Sequence, residues 1–345
     1  MIGHQENKLF NKNCFDFLRI FFCLNIVFSH LAELSQSKSL HFIFDFVNAL
    51  LGVQGFFVIS GFLVAKSYVN TPSLKKYFIK RAKRILPAYF FIIFLAAFGL
   101  FFFSNSSFSN YFFTSDLYKY IGWNIVFMNF MQPCLPGLFE QNYQCAVNGS
   151  LWTLKVEEGF YLILPIIFYL IKKTKKANLV LVSIYFMSLL YWFVMYDMLQ
   201  KPLLAKQLPG YLSFFSVGIL LFLNLNKLQR NKKVLFFSAV IAIVISKSFT
   251  FQIDFLYPVA FGILVILLAF NLPFLNNFGK YGDFTYGIYI IHFPLIQLFR
   301  QFNLFDKYNP FLMSFCIICI AVLFAVFSWF IIEKRFLDRY KKLPI

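Results

Sequence analysis

From Asp16 onward the chain alternates between long apolar runs and short charged connectors. A helix crosses the hydrocarbon core of a bilayer in roughly 20 residues. In lipid every backbone polar group must find its partner within the protein, which leaves helices or closed barrels as spanning structures. Runs of helical length lie near 15–34, 46–65, 87–104, 150–171, 178–197, 209–224, 234–250, 255–271, 284–302 and 310–332. The pattern predicts an all-α fold: a polytopic membrane helix bundle of about ten transmembrane helices. It is expected to form a single domain, 1–345, with 105–149 as a long loop inside it. The segment 118–132 is short and amphipathic and is placed at the interface. A water-soluble fold is excluded, because only 13% of residues are charged where soluble domains carry about 25%.

The net charge of +18 would suggest nucleic acid in a soluble protein. Here the cations mark topology, because basic loops stay cytoplasmic. With both termini inside, 24 of the 32 Lys and Arg fall on cytoplasmic segments, including Lys8, Lys12, Arg19, Lys66, Lys80, Arg81, Lys83, Arg84, Lys172, Lys173, Arg339, Lys341 and Lys342. The expectation is N-in and C-in, with 105–149 extracytoplasmic, lipid as the partner of the basic clusters and no nucleic acid. The first apolar run lacks a small-residue cleavage site and is expected to be a retained helix. Cys134 and Cys145 both fall on the outer loop, where a disulfide is plausible in an oxidising compartment. Cys14, Cys23, Cys316 and Cys319 sit in or beside apolar helices, where cysteine is usually a small buried hydrophobe.

Ionisable groups inside apolar segments are costly and usually functional. In LRIFFCLNIVFSH, Arg19 and His30 stand eleven positions apart. Eleven steps of 100° return to within about 20° of the start, so the two share a helix face about 16 Å apart. Imidazole titrates near neutrality and can take a proton from a hydroxyl. In GVQGFFVISGFLVAKSY, Gly52, Gly55 and Gly61 permit close helix approach, and packing alone accounts for them. The loop KKYFIKRAKRILPAY sets Lys80, Arg81, Lys83 and Arg84 just before Pro87. It reads either as an anchor on anionic lipid or as a phosphate site, since Arg81 and Arg84 are one turn apart. SLWTLKVEEGFYLILPI brings Trp152, Lys155, Glu157 and Glu158 to the outer entrance of a span. One carboxylate can face the interior, to orient His30 or bind a sugar hydroxyl; otherwise the group is an interfacial ion pair with an aromatic belt. In YGDFTYGIYIIHFPLI, Tyr286, Tyr289 and His292 share a face, and a buried structural histidine beside a proline kink accounts for that spacing equally well. There is no GxSxG, HExxH, Gly-rich phosphate loop or zinc-spaced cysteine set, so metal and serine-hydrolase chemistry have no support.

Taken together, these motifs resemble the acyltransferase 3 family of membrane O-acyltransferases over nearly the whole chain. The resemblance rests on Asp16-x-x-Arg19 with His30, on Gly52 to Phe62, and on Arg81, Arg84 and Pro87. It continues through Trp152, Glu157, Phe160, Tyr161 and Pro165, then TYGIYIIHFP and IIEKRF. Ile20, Gln54, Thr153 and Lys334-Arg335 depart from the family pattern, where Gly, Asp, Ser and Arg-Pro are usual. The resemblance implies an O-acetyltransferase that takes its acyl group from cytoplasmic acetyl-CoA, or another acyl-CoA, and modifies a cell-envelope glycan. It implies a bacterial inner membrane. His30 and Glu157 would be catalytic, with His30 as general base or acyl carrier. Arg19, Lys80, Arg81 and Arg84 would hold the donor, and Trp152, Tyr161, Tyr289 and His292 the substrate. The esterase-like domain that some members carry is not expected. Two other readings compete: a glycan or small-molecule transporter or flippase without covalent chemistry, and a scaffold in an envelope-polymer assembly.

Overall fold

A computed structural model describes residues 12–71, 73–248, 254–276 and 278–337. Lys8, Arg339, Lys341 and Lys342, counted above as cytoplasmic cations, lie outside the described residues. Among the described residues every regular element is a helix. The main ones are α1 (Phe15–Leu34), α2 (Ala49–Val69), α3 (Leu74–Phe94), α4 (Ser115–Ile125), α5 (Trp152–Thr174), α6 (Ala177–Phe193), α7 (Leu208–Leu223), α8 (Lys232–Ser248), α9 (Tyr257–Asn271), α10 (Thr285–Gln301) and α11 (Pro310–Phe327).

Six helical stretches among the described residues are long and apolar enough to cross a membrane, or seven if the bent pair Tyr257–Asn271 and Pro273–Tyr281 is one span. The expected runs at 150–171, 234–250 and 284–302 form helices but fall short of that measure. α8 and α10 have 17 residues each, about 26 Å of rise, and α5 carries Lys155, Glu157, Glu158, Lys172 and Lys173. The basic segment before Pro87 is helix rather than the expected loop. α3 starts at Leu74 and continues through a π turn, Leu95–Gly99, and a 3-10 turn to Phe103, 30 residues in all. Lys, Arg, Leu and Ala are strong helix formers, so nothing between Leu74 and Pro87 stops the helix.

The chain forms two compact units. The first comprises the chain through Phe22, Val53–Tyr77 and Val156–Tyr281. In it α7 packs on α6 and α9, and α9 on α8. The α2 and α7 backbones nearly touch. A Cβ at Gly61 would lie 2.1 Å from the Phe215 carbonyl oxygen, and one at Gly218 would lie 2.3 Å from that of Val58. Small residues permit such crossings, which replace hydrophobic packing as the adhesive between helices in lipid. Pro165 lacks the N–H that would bond the Tyr161 carbonyl, and the Tyr77 hydroxyl donates to that carbonyl instead, at 3.1 Å.

The second unit comprises Cys23–Gly52, Phe78–Lys155 and the chain from Gly282. Here α10 packs on α11, with a Cβ at Gly287 brought to 2.6 Å from Ala325 Cα. The 105–149 loop is ordered along α10. Cys134 and Cys145, which the sequence left open as a pair, form a disulfide with Cα atoms 5.3 Å apart. Buried Gln297 donates to the carbonyls of Gln144 and Ala146 at 2.7 and 2.8 Å, and Gln301 to that of Phe103 at 2.6 Å. Pro294 leaves the Ile290 carbonyl without its helical N–H; the Asn148 amide donates to it at 2.7 Å.

Candidate active site

The second unit brings together two imidazoles that are 262 positions apart in sequence. His30 Nδ1 lies 2.8 Å from His292 Nε2, with ring centroids 5.2 Å apart and 7° between the ring planes. His292 is fully buried, while His30 is half-buried. His292 Nδ1 lies 2.7 Å from the Tyr289 carbonyl oxygen. A carbonyl only accepts, so Nδ1 of His292 carries the proton and its Nε2 offers a lone pair. Nδ1 of His30 is then the donor to that lone pair. The remaining nitrogen of His30, Nε2, keeps a lone pair of its own and can accept a proton or attack a carbonyl.

The turn before α5 supports this pair. Tyr289 donates its hydroxyl to the Ser150 carbonyl at 2.9 Å and lies 2.5 Å from the Thr153 hydroxyl. Phe293 closes on His30 edge to face at 5.3 Å, and also sits where a Cβ at Gly149 would collide with it. Tyr289 and His292 therefore spend their polar groups on the protein interior.

A second constellation in the same unit surrounds Arg84. Its Nη2 donates to Asp283 Oδ2 at 2.5 Å, and Nη1 lies 3.7 Å from Glu333 Oε2. Glu333, 2% exposed, also accepts from Ser328 at 2.9 Å. Arg84 thus ties α3 to the entry of α10 and to the turn that continues α11. In the first unit, Glu157 accepts hydrogen bonds from the Tyr161 hydroxyl at 2.5 Å and from Ser60 at 3.4 Å. Arg19 pairs with Asp16 at 3.2 Å.

Residues 12–332 match the profile of a family described as an acyltransferase domain. The chain belongs to the acyltransferase 3 family. It is 29% identical to "Nodulation protein 10" of Rhizobium leguminosarum bv. viciae, over 84% of each chain. It is also 29% identical to the "O-acetyl transferase" of Shigella phage Sf6, over 95% of this chain and 97% of that one. No solved structure matches. As an acyltransferase 3 protein with several membrane-length apolar helices, it is a multi-pass membrane enzyme of the acyl-transfer class.

The remaining residues that resembled the acyltransferase 3 pattern stand as follows. Lys80 is exposed and Arg81 half-buried on α3, and Trp152 is half-buried at the first residue of α5. Asp283 and Glu333 escaped the sequence reading as partners of Arg84. Glu333 lies within IIEKRF and Asp283 two residues before TYGIYIIHFP, but nothing local shows which cation they hold. The His292–His30 bond likewise had no local signal.

Proposed function

We propose that this acyltransferase is an O-acetyltransferase that moves an acetyl group from acetyl-CoA, supplied on the cytoplasmic side, to a hydroxyl of an envelope glycan outside the bacterial inner membrane. The observation that carries the reading is the oriented pair His30–His292, which leaves His30 Nε2 as a base. The name of the phage relative, O-acetyl transferase, supports the choice of group.

In this mechanism His30 Nε2 takes the proton of the acceptor hydroxyl as its oxygen attacks the thioester carbonyl. The C–S bond breaks, and the CoA thiolate takes that proton from the imidazolium. The products are the acetyl ester and CoA thiol. Throughout, His292 Nε2 accepts from His30 Nδ1, as the buried partner does in hydrolase triads. Trp152 offers the substrate an aromatic face. In the first unit Glu157, steadied by Tyr161 and Ser60, is a separate candidate acceptor for a sugar hydroxyl. Lys80 and Arg81 meet the CoA phosphates, and Arg19 is a further donor contact on the helix that carries His30. Arg84 contributes through its carboxylate partners. Removing it would strand buried Glu333, a loss of about 3–5 kcal/mol, so Lys80 is the cleaner probe of donor binding.

The test is CoA release and CoA binding by the full chain in detergent with acetyl-CoA. His30→Ala is expected to lower turnover by about 10²–10⁴-fold. Lys80→Ala should raise KM for acetyl-CoA with little change in kcat. Equal turnover in wild type and His30→Ala, or no CoA binding in wild type, would overturn the reading.

A further inference from the structure

We infer that the first unit holds a separate recognition site for one pyranose ring, an inference that rests on the acceptor being a glycan. A cavity of about 270 Å³ lies wholly within that unit, lined by Gln54, Trp192, Tyr196, Asp197, Asp254 and Tyr257 among others. Small-molecule pockets start near 300 Å³, so this one suits a single ring.

The wall is built by a rare element. α6 ends in a π turn, Val194–Met198, and such turns cluster at functional sites. This turn carries Tyr196 and Asp197 to the cavity, with Trp192 stacked on Tyr196 at 5.5 Å and 16°. The negative faces of aromatic rings attract the slightly positive C–H bonds that line one face of a pyranose.

The polar groups sort into an acceptor and a donor. Asp254 is already met by the Ser246 hydroxyl and by the backbone N–H groups of Leu256 and Tyr257. Its oxygens are engaged by these neutral donors, so it chiefly shapes the wall. Among the described residues no side chain holds the Asp197 carboxylate, which is exposed and can accept from sugar hydroxyls. The Tyr257 hydroxyl donates to Gln54 Oε1 at 3.0 Å, which engages the amide oxygen and leaves the N–H groups of this cavity-lining residue as the donors for a ligand oxygen. Aromatic face, carboxylate acceptor and amide donor around a ring-sized void match a polyhydroxylated ring. A quaternary ammonium would use the aromatics and Asp197 but has no acceptor for the amide.

Saturation-transfer NMR on the detergent-solubilised full chain tests this. The probes are methyl α-glucopyranoside, methyl α-rhamnopyranoside and methyl N-acetyl-β-glucosaminide, with tetramethylammonium as the competitor class. At least one glycoside should receive saturation from wild type and equally from His30→Ala. The signal should fall about fivefold or more, a loss of roughly 1 kcal/mol, in Trp192→Ala and in the shape-preserving Asp197→Asn. No glycoside signal in wild type, a signal unchanged in both variants, or saturation of tetramethylammonium alone would each overturn the site. If CoA turnover fails while glycoside saturation persists, the acyl-transfer reading falls alone. If turnover holds without saturation, only this site falls.

Discussion

His30 and His292 divide one chemical task. His30 keeps some access to ligand, and His292 is buried with its tautomer dictated by a carbonyl that can only accept. The orientation of His30 depends on having an acceptor at position 292, not on an imidazole as such. A glutamine there can offer its Oε1 to His30 Nδ1–H, whereas alanine cannot. His292→Gln should therefore keep measurably more acetyl transfer than His292→Ala, with both folded to the same extent. We expect kcat to fall by about tenfold in the first, where His30 stays oriented, and by about 10²-fold or more in the second, where the general-base contribution is lost. Acetylated His30 trapped by mass spectrometry would instead make His30 an acyl carrier, a role that uses the same Nε2.

At the scale of elements, the prolines within helices explain contacts that otherwise look incidental. Each releases a carbonyl four residues back, and a buried carbonyl without a donor is costly. Tyr77 answers Pro165, and Asn148 answers Pro294. The second case ties the disulfide-closed 105–149 loop to the turn of α10 that carries His292. Asn148→Ala should lower stability by about 1–3 kcal/mol, seen as a lower unfolding midpoint in detergent. Pro294→Ala restores an N–H for the Ile290 carbonyl. The double variant should then lose less than the sum of the singles, a coupling that a double-mutant cycle reads directly. Additive losses would show that Asn148 stabilises the fold in another way.

At the scale of the molecule, the charge pattern argues for an N-in, C-in arrangement, with the basic start of α3 inside and the 105–149 loop outside. Labelling with a membrane-impermeant maleimide checks it. Ser109→Cys, in the exposed part of the loop, should react in intact cells. Lys75→Cys, exposed on the first turn of α3, should react only after the membrane is opened. The reverse pattern would invert the topology and, with it, the side from which donor and acceptor approach. A cytoplasmic donor needs its cations on the inner face, so this measurement bears on the mechanism as much as on the fold.

What the sequence determined by itself follows from solvent and from short range. Apolar runs in lipid have to satisfy their own backbone, which leaves helices or closed barrels, and runs of about 20 residues rather than about 10 select helices. The Arg19–His30 face needs only the helical repeat, and the six blocks in order were enough to point to the family. The helix count was less secure, because α5, α8 and α10 lie at the limits of length or charge that a bilayer tolerates. Only the tertiary structure decided which distant groups meet. His292 finding His30, Asp283 and Glu333 finding Arg84, and Asn148 finding the carbonyl opposite Pro294 join residues up to 262 positions apart. The pocket around Trp192 and Asp197 belongs to the same class. Such partners are chosen by how helices pack, and no local period or propensity encodes which buried polar group will satisfy which.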